Sequence, residues 1–186
     1  REQASVIWTS GTLTVPANQY FITDQLGINR DVPIEVLQAP GSYYSGAQAF
    51  VVTDMPDIQA VSQSDYIEEV AHAITQTVRA TEGRCFVLFT SQDMLRKTVD
   101  LIQESELLSD YMLFAQGVTA GSRMRLLKAF QKFNHSVLFG TNSFWEGVDV
   151  PGDGLASVIV VRLPFSSPEE PTFKARSGYL QANGQN

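Results

Sequence analysis

The chain has 186 residues, 44% of them hydrophobic, which fits one globular domain with a sizeable core. No apolar run approaches the ~18 residues of a membrane span, so we expect no contact with a membrane. The one cysteine, Cys85, excludes an internal disulfide and any four-cysteine metal or iron–sulfur site within this segment. Its place in the apolar run RCFVLF favours a buried, unreactive thiol, and we expect a reducing cytoplasm as the compartment.

The net charge of the chain is −7, and its isoelectric point is near 4.7. A free-standing nucleic-acid binder is usually basic, because neutralising phosphates supplies most of its affinity. The charge balance therefore opposes tight independent binding to nucleic acid. A chain with this net charge can still bind nucleic acid through a local basic patch.

The first part of the chain is predicted to mix short strands with two helices. Gly27 closes the first helix, because glycine readily adopts the left-handed conformation that ends helices. A clear amphipathic helix follows from Ser64 to Arg79, with Ser64 or Asp65 as its cap. The first helix is VPANQYFITDQLG, and the predicted strands are SVIWTSG, PIEVLQAP and QAFVVTDMP.

The second part alternates strands and helices more regularly. Its predicted helices are SQDMLRKTVDLIQE, with Ser91 as cap, and GSRMRLLKAFQKF. The strands are RCFVLFT, YMLFAQ, HSVLFGT and LASVIVVRLPF. Near-continuous apolar strands separated by helices predict an α/β fold with a mainly parallel sheet covered on both faces.

Both ends of the chain suggest a segment of a longer protein. The chain opens with REQASVIW, without a methionine. Its final stretch, SSPEEPTFKARSGYLQANGQN, is polar and interrupted by prolines, so we expect no closing element there.

The polar loops follow predicted strands, where parallel sheets bind their ligands. After SVLF comes GTNSFWEGVD, in which Asn142 and Ser143 are small donors suited to phosphate or sugar. Gly147 permits a close approach of the backbone, and the acceptor-only Asp149 suits a ribose hydroxyl pair. Two plainer interpretations stay open: Glu146 and Asp149 as turn carboxylates, and Trp145 as a buried side chain instead of a base-stacking one.

Three other motifs are equally compatible with a purely structural role. TSGTL, residues 9–13, fits a simple turn, and Thr90 and Ser91 fit either a helix cap or a phosphate contact. The loop from Gln116 to Arg123 offers amides and a guanidinium to a ligand. The basic residues behind it share one helix face, and a solvated surface is the default interpretation of such a face: Arg125, Lys128 and Lys132.

Taken together and in order, these motifs resemble the second RecA-like motor domain of DinG-type helicases, in the XPD-like branch of superfamily 2. TSGTL resembles motif III, LFTSQDML resembles motif IV, and GTNSFWEGVDVPGDGLASVIVVRLPF resembles motif V with its following strand. The segment AQGVTAGSRMRLLKAF is similar to the part between motifs IV and V. The resemblance covers nearly the whole chain and is weakest between Gly27 and Ser64.

The resemblance implies a RecA-like three-layer α/β/α domain, spanning 1–186, with the motif III junction at 1–15 and an incomplete tail at 165–186. It implies that ATP and Mg²⁺ bind between this domain and a first motor domain of the same chain, while single-stranded DNA lies across both. The implied nucleotide-site residues are Gly11, Thr12, Glu146, Gly147 and Asp149. The implied DNA-contacting residues are Thr90, Ser91, Gln116, Gly117, Arg123, Thr141, Asn142 and Ser143.

The chain also departs from the pattern of a complete motor. It contains no GxxxxGK[ST] phosphate loop and no acidic Mg²⁺ box, and it stops before the motif VI segment that supplies the arginine finger. We therefore expect the isolated segment to lack ATPase and unwinding activity and to bind no cofactor independently. Some bacterial relatives carry an N-terminal 3′–5′ exonuclease domain, and the sequence SFWEGVDVPG is more similar to these relatives.

Three functional hypotheses remain open at this point. The leading one is a motor domain of a DNA helicase or helicase-like nuclease. The second is a RecA-like domain retained as a non-catalytic interaction module, which the acidic balance fits. The third, a small-molecule nucleotide-binding enzyme, lacks a GxGxxG fingerprint and an evident acid–base pair.

Overall fold

A computed structural model of the chain describes residues 20–29, 31–32, 45–165, 167–182 and 184. The chain separates into two compact units, residues 1–51 and 52–186. In the first unit, helix α1 spans Phe21–Leu26 and ends at Gly27, whose φ of 66° is the predicted left-handed cap. The predicted strands SVIWTSG and PIEVLQAP, and the motif TSGTL with Gly11 and Thr12, lie outside the described residues.

The second unit is built on a four-stranded sheet in the order β2-β3-β1-β4. Its strands are β1 (Cys85–Leu88), β2 (Met112–Ala115), β3 (Ser136–Gly140) and β4 (Ser157–Val160). Every pairing is parallel, with Cys85 opposite both Val137 and Ser157, and Met112 opposite Ser136. The prediction of a parallel α/β sheet is confirmed.

Three helices cover the two faces of this sheet. Helices α2 (Gln63–Ala80) and α3 (Gln92–Glu104) pack on one face, and α4 (Arg123–Lys132) packs on the other. Successive residues of β1 point to opposite faces, so Val87 joins the core under α2 and α3 while Phe86 joins the core under α4. Both cores are therefore filled from the same strands, but the edge strand β4 is left uncovered on the α4 side, where its valines are exposed.

Serine side chains cap all three of these helices. Ser91 caps α3 as predicted, and its Oγ accepts the N–H of Met94. The prediction for α2 is wrong by two to three residues, because Ser62, not Ser64 or Asp65, has the extended backbone of a cap and accepts the N–H of Asp65. The apolar periodicity begins only at Tyr66, so it could not locate the polar first turn.

Two other predictions differ from the structure. QAFVVTDMP forms no strand, and Phe50 and Val51 are each 85% exposed. A strand needs a neighbouring backbone to pair with, and no described strand pairs with this segment. The tail contains a helix, α5 (Pro171–Ala182), where no closing element was expected. Proline does not prevent this helix, because proline is tolerated in the first helical turn. Within the described residues, no helix combines the length and the apolar character needed to span a bilayer.

Replacing Phe139 with alanine tests the central packing. Phe139 is fully buried in β3, and we expect Phe139→Ala to lower the free energy of unfolding by about 3–5 kcal/mol in urea titrations of the chain. The matched control is Phe165→Ala, because Phe165 is 85% exposed and its loss should cost less than about 0.5 kcal/mol. Equal losses for the two variants would contradict this description of the core.

Cys85 gives a second test, based on its chemistry. Burial raises the pKa of the Cys85 thiol from 9.0 to about 11, outweighing the opposing hydrogen bond with Ser157. At pH 8 the folded chain therefore holds a protonated and inaccessible thiol, and we expect no reaction with Ellman's reagent. In denaturing urea the thiol should react completely. Rapid modification of the folded chain at pH 8 would contradict the burial of Cys85.

Candidate nucleic-acid and nucleotide interface

The loops after β1, β2 and β3 meet at one edge of the sheet, because parallel strands end on the same side. The strand pairing continues into the loops: the N–H of Phe89 donates to the carbonyl of Gly140 at 2.9 Å, and that of Gln116 to the carbonyl of Phe139 at 3.0 Å. The three polar loops predicted from the sequence therefore share one rim, which we call the carboxyl edge.

The side chain of Gln116 joins the loop after β2 to the loop after β3. Its Oε1 accepts the backbone N–H of Thr141 at 2.9 Å and the hydroxyl of Thr141 at 3.0 Å. Its Nε2 donates to Oγ of Ser143 at 3.1 Å. Three of the predicted DNA-contacting residues thus bind one another, and the amide of Gln116 fixes the conformation of the segment from Thr141 to Ser143.

Gln92 connects the loop after β1 to the same group. Its Nε2 donates to the carbonyl of Gln116, and its Oε1 accepts the hydroxyl of Thr141 at 3.3 Å. Gly117 makes this approach possible: its φ is +75°, and a Cβ there would lie 2.5 Å from Nε2 of Gln92. We call Gln92, Gln116, Thr141 and Ser143 the edge cluster.

Sequence reasoning did not assign a role to Gln92. The available signal was its position directly after Thr90 and Ser91, at the end of the same short polar motif. In the structure Ser91 caps α3, whereas Gln92, the first residue of that helix, reaches across to Gln116 and Thr141. Asn142 differs from its neighbours, because its side chain is exposed and makes no hydrogen bond with any described residue.

Arg123, predicted to contact DNA, is engaged inside the domain. Its Nη2 donates to the carbonyls of Glu146 at 2.7 Å and Gly147 at 2.8 Å, and its guanidinium carbon lies 5.4 Å from the centre of the Phe144 ring. The side chain is half-buried, and its Nε finds no partner among the described residues. Arg123 therefore holds the start of α4 against the segment that follows β3.

That segment, residues 141–156, crosses from the carboxyl edge to the start of β4. The indole N–H of Trp145 donates to the carbonyl of Phe89 at 3.2 Å, which supports the plainer interpretation of Trp145 as a structural side chain. Further along, Nε2 of Gln131 donates to the carbonyl of Asp149 at 3.1 Å, and Arg84 donates to that of Asp153 at 3.2 Å. We call residues 141–156 the crossover.

Three of the predicted nucleotide-site residues, Glu146, Gly147 and Asp149, lie on the crossover, whereas Gly11 and Thr12 lie outside the described residues. The carbonyl of Glu146 is bonded to Arg123, in the first turn of α4, and that of Asp149 is bonded to Gln131, near the end of the same helix. Both residues are bonded through their backbone carbonyls, and both are exposed. Gly147, with a φ of +65°, lies between them, where Arg123 contacts its carbonyl.

Residues 74–186 match the family described as Helicase C-terminal domain. The chain belongs to this family. Over 98% of its length it is 38% identical to the 3′–5′ exonuclease DinG of Bacillus subtilis (strain 168), of which it covers 20%. It is also similar to the ATP-dependent DNA helicase YoaA of Haemophilus influenzae (37% identity, 94% of the chain) and of Escherichia coli K12 (35%, 95%), covering 26% of each.

These relatives confirm the resemblance drawn from the motifs: the chain is a helicase C-terminal domain of the DinG/YoaA type. The chain spans about a fifth to a quarter of the length of these relatives. The family match covers β1 to β4 and the whole of the edge cluster.

Removing the Gln116 side chain tests the edge cluster directly. Gln116→Ala deprives the Thr141 N–H of its acceptor, so we expect its hydrogen exchange, followed by NMR, to accelerate at least about tenfold, and stability to fall by about 1–2 kcal/mol. The matched control is Gln103→Ala, on an exposed position of α3, which should leave Thr141 exchange unchanged. Unaltered exchange in Gln116→Ala would refute the arrangement.

Proposed function

We propose that this domain is the second motor domain of an ATP-dependent DNA helicase of the DinG/YoaA type. It acts with a first motor domain of the same longer chain, and residues 1–186 contribute the motif III junction, the motor domain and the start of the tail that leads to motif VI. ATP and Mg²⁺ bind between the two domains, and single-stranded DNA crosses both. The cytoplasm, where bacterial DNA is located, is the compartment that we propose.

The observation that carries the proposal is the edge cluster. It fixes the loops after three adjacent parallel strands with hydrogen bonds between side chains and backbone. Loops held in this way present small donors in a fixed arrangement, which is what recognition of a sugar–phosphate backbone requires. Asn142, exposed and without an internal partner among the described residues, is the side chain best placed to meet a strand.

We propose that the DNA-contacting residues have two different roles: some contact the strand, and the others hold the loops in place. Thr90, Ser91 and Asn142 meet the strand, and the hydroxyl of Ser143 is shared between the strand and Gln116. Gln116 and Thr141 act mainly by holding the loop after β3, because their polar groups bind each other. Arg123 acts in the same way on the crossover through its two carbonyl contacts, while Gly117 leaves space for Gln92.

The nucleotide side of the proposal concerns the crossover. Glu146 and Asp149 expose their carboxylates while their backbones are fixed by Arg123 and Gln131. Such groups suit the hydroxyls of a ribose better than a phosphate, since they only accept hydrogen bonds. Gly11 and Thr12 are also proposed to bind the nucleotide, because TSGTL resembles motif III. The names of the Haemophilus and Escherichia relatives, both ATP-dependent DNA helicases, support ATP as the nucleotide.

The phosphate cradle and the acidic Mg²⁺ box must come from the first motor domain, because the 186 residues contain no GxxxxGK[ST] motif. The isolated chain is therefore proposed to be inactive as an ATPase. Its contribution in the parent is to close the nucleotide cleft and to couple that closure to the DNA held at the carboxyl edge.

The experiment that tests this function measures DNA-stimulated ATP hydrolysis by the full-length protein. We expect Asp149→Asn to reduce the stimulated rate at least about tenfold, because it weakens a charge-assisted hydrogen bond to the nucleotide. Asp153→Asn is the matched control: Asp153 lies on the same crossover, and its contact with Arg84 uses the backbone carbonyl. The DNA-stimulated rate of the Asp153→Asn variant should equal that of the wild type.

Arg123→Ala provides the second arm of this test. Because Arg123 fixes the crossover, its loss should also reduce the stimulated rate, whereas Arg96→Ala, at an exposed position of α3, should not affect ATP hydrolysis. If neither Asp149→Asn nor Arg123→Ala changes DNA-stimulated hydrolysis, the site assignment is wrong. If the wild-type protein shows no salt-dependent affinity for single-stranded DNA, an interaction module becomes the better description.

A second candidate function is that of a motor-like domain in a protein that acts mainly as a 3′–5′ exonuclease. The observation that favours it is the name of the Bacillus relative, 3′–5′ exonuclease DinG, which is 38% identical to this chain. Degradation of 5′-labelled single-stranded DNA by the full-length protein, in the absence of ATP, distinguishes it from a helicase whose activity requires ATP.

A further inference from the structure

Helix α4 concentrates positive charge in a chain that is otherwise acidic. The chain has a net charge of −7 and 13 lysines and arginines. Four of these cations lie on α4, whose sequence RMRLLKAFQK contains no carboxylate. By contrast, α2 carries three carboxylates with one arginine, and α3 carries three carboxylates with one arginine and one lysine. Positive charge is therefore concentrated on α4.

Three of the four cations form a stripe along the outer side of α4. Arg125, Lys128 and Lys132 are all exposed and lie within about 60° of the helix circumference, over about 10 Å of its length. Leu126, Leu127 and Phe130 occupy the opposite side and pack on the sheet. The stripe therefore points directly away from the domain.

Within the described part of the chain no carboxylate forms an ion pair with this stripe, and Nζ of Lys132 lies 5.8 Å from the centre of the uncharged Phe133 ring. Ion pairs join Lys97 to Asp93 and Lys174 to Glu169, whereas none involves a residue of α4 within that part. The crossover approaches α4 through Arg123 and Gln131, and both lie about 60° or more around the helix from the stripe. Arg125 and Lys128, three residues apart, and Lys128 and Lys132, four apart, repel each other at spacings that destabilise a helix.

The stripe is continuous with the carboxyl edge. Helix α4 begins with the cap at Ser122, directly after the loop that carries Gln116, and runs back toward the start of β3. Its first cationic position on the outer side, Arg125, is thus one turn from the loops proposed to hold DNA. A strand that leaves those loops on this side passes along Arg125, Lys128 and Lys132 in turn.

We propose that the α4 stripe binds the phosphate backbone of single-stranded DNA and extends the track that starts at the edge cluster. This inference rests on the function proposed above and adds a site to it. The lysines and arginine of the stripe contact phosphates through their charge. Such contacts position the strand and carry no base recognition. The stripe offsets the repulsion that the acidic remainder of the chain exerts on DNA.

The test compares two double variants of the full-length protein with the same change of charge. Arg125→Gln with Lys128→Gln removes an arginine and a lysine from the stripe, and Arg96→Gln with Lys97→Gln removes the same pair of residue types from exposed positions of α3. The affinity for a single-stranded oligonucleotide is measured across a salt series. We expect the stripe variant to reduce the slope of log K against log salt by about 1.4, or about 0.7 per lost phosphate contact.

The α3 variant should keep the wild-type slope, and Lys128→Gln alone should reduce it by about 0.7. Circular dichroism and thermal melting confirm that each variant is folded. If the stripe variant and the α3 variant have the same slope, the stripe proposal is overturned while the proposed helicase function stands. If the wild-type protein itself has no salt-dependent affinity, the function proposed above fails instead.

Discussion

The parallel register of β1, β2 and β3 is the constraint on which the rest of the structure depends. It aligns Cys85 with Val137 and Leu113 with the same Val137, so the three strands end together and their loops emerge side by side. Only then can the side chain of Gln116, in the loop after β2, bind Thr141 and Ser143 in the loop after β3. A shift of one residue in either pairing would move each side chain of the shifted strand to the opposite face of the sheet and separate Gln116 from Thr141.

The two faces of the sheet serve different purposes. Helices α2 and α3 supply most of the apolar core and carry mixed or acidic surfaces. On the other face, α4 and the crossover carry the groups proposed to meet ligands: the cationic stripe outside and the exposed carboxylates alongside. An acidic domain can therefore take part in binding DNA, because the net charge of a chain does not describe the field near one helix.

The sequence was sufficient to predict the sheet and the meeting of the three loops at one edge, because both follow from periodicity and strand order. RCFVLFT, YMLFAQ and HSVLFGT are strands, and the loops after them do meet. The internal roles of Gln92 and Arg123 were not predictable. The residue type alone does not tell whether a side chain binds a backbone carbonyl of its own domain or a ligand. The segment around Phe50 was misjudged because an apolar run forms a strand only when another strand pairs with it, and no described strand pairs with this segment.

The indole of Trp145 gives this domain an optical property that follows from its position. Its N–H is bonded to the carbonyl of Phe89, just before the loop after β1, while its backbone belongs to the crossover. Any rearrangement that slides these two segments apart breaks that bond and changes the polarity around the ring. Since Trp8 is the other tryptophan in these 186 residues, the Trp8→Phe form of this segment would report such a rearrangement within the domain through the emission of Trp145, without an attached dye.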